Sequence, residues 1–286
     1  MVLVASSAIQ LSGERCKELN INVVDYPLFV NGENYKGSVN MSLEEKNKLR
    51  DIIKDKKNKV GTAGLTYEAL STMYGKFKNE KVTHMEQSLK MTAATDQMIK
   101  KVLDDHKDFN IEIFDTDTLA SAYSVQILEA AKALKKGISD DDFRKFIKEN
   151  KKNSRHIGII HDLFFLNRAG RVSFAKALLA TAFNLLPILS STDVPGQLKN
   201  VGKAKTAAQA NQILINLIEE DMKKKNGKKI STVVSFCGDH EKEVNQFVEM
   251  YKNKGWNSEI EVHYANHSNM SHMGPDFFEL GYIIYE

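Results

Sequence analysis

Two cysteines in 286 residues, Cys16 and Cys237, are too few and too far apart to form a metal knuckle or a disulfide framework. They read as buried thiols in a reducing cytoplasm. No charge of one sign dominates either: 40 basic residues against 37 acidic ones leave a net +3, which gives no reason to expect nucleic acid. The longest apolar tract, Phe174 to Leu189, is interrupted by Lys176, Asn184 and Pro187. It falls short of the ~20 residues a bilayer span needs, so no integral membrane segment is expected. The opening Met1-Val2-Leu3-Val4-Ala5-Ser6-Ser7 lacks a basic residue and reads as a first strand, not a signal peptide. Neither a Gly-rich phosphate loop nor a Gly-x-Ser-x-Gly elbow is present. His263, His267 and His272 raise a metal question, but no Cys or carboxylate completes a set at ligand spacing, so no metal and no cofactor are expected.

What is there is an ordinary globular composition, 42% hydrophobic and 27% charged, in a chain long enough for two domains. Its first half alternates strand and helix signals. Val2–Val4, Ile21–Val24, Pro27–Val30, Lys81–Met85 and Ile111–Phe114 read as strands. Asn31-Gly32 marks a hairpin, and Ser42 and Thr66 open helices. Further helices are predicted over Thr92–His106 and Leu119–Lys136, with Gly137 and Ser139 punctuating the next. The second half predicts strands near Arg155–Ile160, Leu185–Ser190, Leu198–Lys203, Ile230–Phe236 and Ile260–Tyr264. Helices fall near Phe174–Phe183, Thr206–Lys223 and His240–Lys254, and Asp193-Val194-Pro195-Gly196 reads as a hairpin turn. The fold class is therefore α/β with two domains. Residues 1–152 form a mostly parallel sheet with helices on both faces. Residues 153–286 form a mixed or antiparallel sheet with helices packed on one side, and the polar stretch Lys148–Asn153 marks the boundary.

Three motifs carry chemistry. His272-Met273-Gly274-Pro275 forms a turn able to aim an imidazole into a cavity, held by the strand Leu280-Gly281-Tyr282-Ile283-Ile284. Thr62, in the loop Gly61-Thr62-Ala63-Gly64, offers a hydroxyl beside backbone N–H groups that can form an anion nest. Arg168-Ala169-Gly170-Arg171-Val172-Ser173 opens a very apolar helix. Taken singly, Thr62 could equally satisfy its own backbone, His272 could bond a carbonyl, and Arg171 could be a solvated surface cation.

Together and in this order, the motifs resemble the DegV family, bacterial fatty-acid-binding proteins that present an acyl chain to a fatty-acid kinase. The segment His272 to Tyr282 is similar to His-Thr-Gly-Pro-Gly-Ala-Leu-Gly-Leu-Gly-Tyr of the family, and Arg171 and Ser173 match a Gly-Gly-Arg-Ile-Ser signature. Thr62 stands at the Thr of a Thr-Ser-Gln-Pro-Ser-like loop, and Val201-Gly202-Lys203-Ala204-Lys205 at a Val-Gly-Lys-Ala-Arg strand end. The family's Thr-Asp-Ser-Thr opening reads Val4-Ala5-Ser6-Ser7 here. Its Ser-Ser-x-Leu-Ser-Gly-Thr-Tyr loop reads Glu86 to Ala93, with Lys90 at the binding Ser.

The resemblance implies a non-enzymatic, cytoplasmic carrier of a long-chain fatty acid held between the domains, with a fatty-acid kinase as partner. Thr62 and His272 would bind the carboxylate. Ser88 or Thr92 would replace the missing hydroxyl, or Lys90 would attract the acid, unless its ammonium faces solvent. Arg171 would form the phosphate rim, and Phe174, Leu178 and Ile188 the tail pocket. A family member with only an interaction or regulatory role, or an enzyme on a small carboxylic acid using Lys90 and His272, are the alternatives.

Overall fold

The computed structural model describes residues 1–168, 185–193 and 197–286. The first half runs β1 (Val2–Ser6), α1 (Gly13–Glu18), β2 (Ile21–Val24), β3 (Leu28–Val30), β4 (Glu33–Tyr35), α2 (Leu43–Lys54) and β5 (Val60–Thr62). It continues through α3 (Tyr67–Gly75), β6 (Val82–Glu86), α4 (Ala93–Asp105), β7 (Ile111–Asp115), α5 (Ala120–Lys135) and α6 (Asp140–Asn153). The second half begins with β8 (Ser154–Ile160), α7 (Leu163–Arg168), β9 (Leu186–Ser190) and β10 (Lys199–Ala204). It ends with α8 (Ala207–Lys224), β11 (Lys229–Cys237), α9 (Glu241–Lys252), β12 (Ser258–Tyr264), α10 (His267–Met273) and β13 (Phe277–Tyr285).

Local chemistry explains several of the helix starts. Ser42 and Glu45 form a reciprocal capping box at α2, while Thr66, Ser139 and Thr206 each accept a backbone N–H at the helix they open. The four-stranded sheet β2-β1-β6-β7 is parallel throughout. The six-stranded sheet β10-β9-β8-β13-β11-β12 is antiparallel except for its β11–β12 edge pair. The predicted hairpin at Asn31-Gly32 joins β3 and β4, and Gly32 takes the left-handed backbone (φ +89°) such a turn requires. That hairpin gains a third strand, β5, through the pairs Leu28–Thr62, Phe29–Gly61 and Val30–Val60. The Gly-flanked pattern predicts a loop at Thr62, and this long-range pairing makes it the end of a strand instead.

The large sheet departs from the expected one-sided covering. Val233 and Ile283 pack toward α5, whereas Val234, Tyr282 and Ile284 pack toward α8 and α9, so helices cover both faces and not one. Helix α5 is the layer common to the two large sheets, buried from Ala120 through Ala131. On one side the Tyr123 hydroxyl accepts from the Ser6 N–H (2.8 Å) and donates to the Met85 carbonyl (2.9 Å). On the other, Ser121 donates to Glu279 (2.9 Å), and Ser231 of β11 donates to Glu129 (3.0 Å). The predicted helix over Phe174–Phe183 and most of the predicted turn at Asp193–Gly196 lie outside the described residues.

Close approach of α5 to β13 depends on Gly281, because a Cβ there would enter the Ala122 backbone. Gly281→Ala should therefore destabilise the chain by about 3 kcal/mol, the upper end for core overpacking. Urea unfolding should show a lower midpoint with an unchanged slope, and a parent-like midpoint would contradict the contact.

Candidate ligand cavity

A cavity of about 260 Å³ opens over one face of the six-stranded sheet. Its floor comes from alternate residues of β8, His156, Gly158 and Ile160, with Leu189 of β9 and Glu279 of β13 beside them. Its roof comes from β5 and the following turn, the start of α4, and one face of α10, which contributes Ser268, Asn269, His272 and Met273. Leu119, Leu166 and Leu198 add apolar wall.

The cavity exists in this form because α10 is fastened to the first half of the chain. Asn266, fully buried ahead of α10, donates through Nδ2 to the carbonyls of Ile9 (2.6 Å) and Leu11 (2.9 Å), while its N–H donates to Gln10 Oε1 (3.0 Å). The Lys46 ammonium donates to Asn266 Oδ1 (2.8 Å), and burial pulls its pKa down to about 8. His267 Nε2 lies 3.3 Å from the Tyr26 carbonyl. At the far end Gly274 stops the helix with φ +94°, in a space where a Cβ would enter the Phe165 ring. His272 thus belongs to the last turn of a short helix, whereas the Gly-Pro pattern predicted a turn.

This anchoring brings together two predicted residues. Thr62 Oγ1 and His272 Nε2 share a hydrogen bond of 2.8 Å across 210 positions of sequence. Both are half-buried at the cavity. The anion nest expected beside Thr62 is partly spent, since the Ala63 N–H donates to the Pro27 carbonyl (3.2 Å) and the Leu65 N–H to Thr95 Oγ1 (3.2 Å). Thr92 also lines the cavity, with its hydroxyl donating to the Ser88 carbonyl (3.0 Å).

Other expected residues stand elsewhere. Ser88 is buried and Lys90 exposed, and neither lines the cavity, because the turn before α4 directs them away from it. Ile188 packs with α8 on the opposite face of its strand, and strand alternation gives Leu189 the cavity position instead. Arg171, Phe174 and Leu178 lie outside the described residues.

Several lining residues were not singled out from sequence. Tyr26, Gln87 and Thr95 form a polar cluster in which the Tyr26 hydroxyl donates to Glu86 (3.2 Å) and accepts from Gln87 (3.4 Å) and Thr95 (3.4 Å). Burial and the neighbouring Glu86 push the Tyr26 phenol above its usual range. The other missed pair is His156 and Glu279, on the floor. The legible signal for Glu279 was a carboxylate inside the apolar run Phe277 to Ile284, a place where a charge must find partners.

A family model described as an uncharacterised protein of the DegV family matches residues 1–284. The chain belongs to the DegV family. Among its relatives, a DegV domain-containing protein of Staphylococcus aureus is 25% identical over 244 residues, 84% of this chain and 78% of that protein. The structure described as fatty acid binding of a DegV family protein from Thermus thermophilus superposes with a TM-score of 0.85 at 21% identity, covering 99% of each chain. A stearic acid-binding protein of Eubacterium ventriosum superposes at 0.84 with 17% identity, covering 99% of this chain and 98% of the other. At such identities the likeness establishes the shared DegV fold. Among the described residues no helix is long and apolar enough to cross a membrane, and no cluster of His, Cys, Asp and Glu could hold a metal.

The anchor of α10 has a pH signature. Burial lowers the His267 pKa from 6.5 to about 4. The unfolded chain therefore takes the proton first, and stability that is full above about 6.5 falls as the pH drops toward 4. The loss from this residue should approach about 3 kcal/mol. Urea titrations between those pH values should show a shallower decline for His267→Gln than for the parent, and parallel declines would rule the assignment out.

Proposed function

We propose that this DegV-family chain binds a long-chain fatty acid, with its carboxylate at Thr62 and His272 and its tail buried along the cavity. The observation that carries the reading is the Thr62–His272 hydrogen bond at one wall of a cavity whose other lining mixes Ala, Leu and Met with the polar Tyr26–Gln87–Thr95 cluster. The Thermus thermophilus and Eubacterium ventriosum proteins, described as binding fatty acid and stearic acid, support it by their shared fold. The ligand lies between residues 1–152 and 153–286, treated as two domains.

The energetics divide the work between the two ends of the ligand. Each buried CH₂ contributes ~0.8 kcal/mol, so the tail supplies most of the affinity. A carboxylate leaving water needs donors, and each charge-assisted bond contributes about 1.5–3 kcal/mol. A hydroxyl and an imidazole meet that need while leaving a carboxylate oxygen open to a second protein. The chain's sequence holds no phosphate-binding loop, so phosphorylation of the acid falls to a partner fatty-acid kinase. The chain is then a carrier in the cytoplasm, and Arg171 serves the phosphate rim.

Purified chain should retain a fatty acid detectable by native mass spectrometry. After delipidation, Thr62→Ala combined with His272→Ala should weaken binding of a long-chain acid by about 100- to 10,000-fold in titration calorimetry. The dependence of affinity on tail length should stay unchanged. With a bacterial fatty-acid kinase and ATP, the loaded parent should yield acyl phosphate. A double variant that binds as tightly as the parent would refute the head-group assignment.

A further inference from the structure

Among the described residues, every hydroxyl lining the cavity but one is engaged. Thr62 shares its bond with His272 (2.8 Å), and Thr92 donates to the Ser88 carbonyl (3.0 Å). Thr95 donates to Tyr26 (3.4 Å), and Tyr26 donates to Glu86 (3.2 Å). The exception is Ser268 in the first turn of α10, whose hydroxyl finds no hydrogen-bond partner among the described residues. Ser271 on the same helix shows the usual alternative, turning its hydroxyl back onto the Ser268 carbonyl (2.7 Å). Ser268 is only 5% exposed, and a hydroxyl so deep is normally paired. Yet it is not closed off: its oxygen keeps accessible surface at the cavity, whereas His156 Nδ1 on the floor keeps essentially none.

Its position suits a head group better than a tail. Ser268 and His272 lie four residues apart, which puts them on one face of α10 with Cβ atoms ~5–6 Å apart. A carboxylate accepting bonds of ~2.8 Å on both oxygens spans such a gap. Asn266, two residues ahead, is tied to Ile9, Gln10 and Leu11, so this end of the helix sits against the first half of the chain. Ala8 and Tyr26 line the cavity there, while the hydrocarbon walls Ile160, Leu166, Leu189 and Leu198 belong to the second half. A donor is also needed. Thr62 and a neutral His272 spend one proton on each other in their shared bond, and a carboxylate leaving water has acceptor sites on both oxygens. Lys90, the cation expected to help, is exposed and off the cavity.

We infer that Ser268 is the third head-group donor, a hydroxyl that grips the fatty-acid carboxylate from α10 alongside Thr62 and His272. This rests on the fatty-acid reading above and adds a residue to its site. One helix face then delivers two of the three donors, so the bonds that anchor α10 through Asn266 position the acid as well as the imidazole.

The test titrates the delipidated full chain with saturated fatty acids of several tail lengths. Ser268→Ala should weaken binding about 10- to 100-fold, the loss of one charge-assisted bond, and by the same factor at every tail length. Ser268→Cys keeps the size of the side chain and offers only a weak S–H donor, so it should lose about as much. Thermal melts report that each variant is folded. If both variants bind every acid as tightly as the parent, while Thr62→Ala with His272→Ala does not, the inference is wrong and the carrier reading stands. A loss in Ser268→Ala that Ser268→Cys restores would report packing, and a loss that grows with tail length would place Ser268 against the tail; either overturns the assignment. If the parent binds no acid, both readings fall.

Discussion

One buried side-chain amide holds the two halves of this chain in the relation that makes a cavity. Asn266 reaches the Ile9 and Leu11 carbonyls, receives the Lys46 ammonium and takes its backbone partner from Gln10. These bonds sit away from water, so each is hard to break without leaving an unpaired group behind. They set where α10 begins, and Gly274 sets where it ends. Between those limits the helix has little freedom, and that is why an imidazole from the second half stands at hydrogen-bond distance from a threonine of the first.

The second constraint is the polarity of the layer between the sheets. Helix α5 is buried along most of its length, yet its contacts to the large sheet run through Ser121, Glu129, Ser231, Ser235 and Glu279 as well as through hydrocarbon. Such networks are favourable only when each member is paired, and they then hold neighbouring elements in one arrangement. The carboxylate of Glu279 meets that condition and His156 Nδ1 does not.

Much of the fold was legible because its signals are local. Ser42 followed by Glu45 announces a capping box, Asn31-Gly32 a two-residue hairpin, and the apolar runs at Val2, Ile21 and Ile111 the strands of the parallel sheet. Element ends moved by a residue or two, as with β9 beginning at Leu186 and α9 ending at Lys252. The site was legible more unevenly. Thr62 and His272 were singled out as candidates, but Ser88, Lys90 and Ile188 stand off the cavity, and Gln87, Thr95 and Leu189 beside them line it. A shift of one position reverses the face of a strand, and in the turn before α4 no periodicity tells which side chain faces inward.

The amino-acid sequence by itself determined the α/β class and most strands and helix starts, because each rests on residues a few positions apart, and the family through the order of short motifs along the chain. Only the tertiary structure decided that β5 joins the β3–β4 hairpin, that α5 lies between two sheets, and that His156 stands over Glu279. The physical reason is distance along the chain. The bonds that close the cavity join residues more than a hundred positions apart, as in Ser121 to Glu279 and Thr62 to His272. No local pattern encodes which distant partner a buried donor or acceptor will find; packing of the whole chain does.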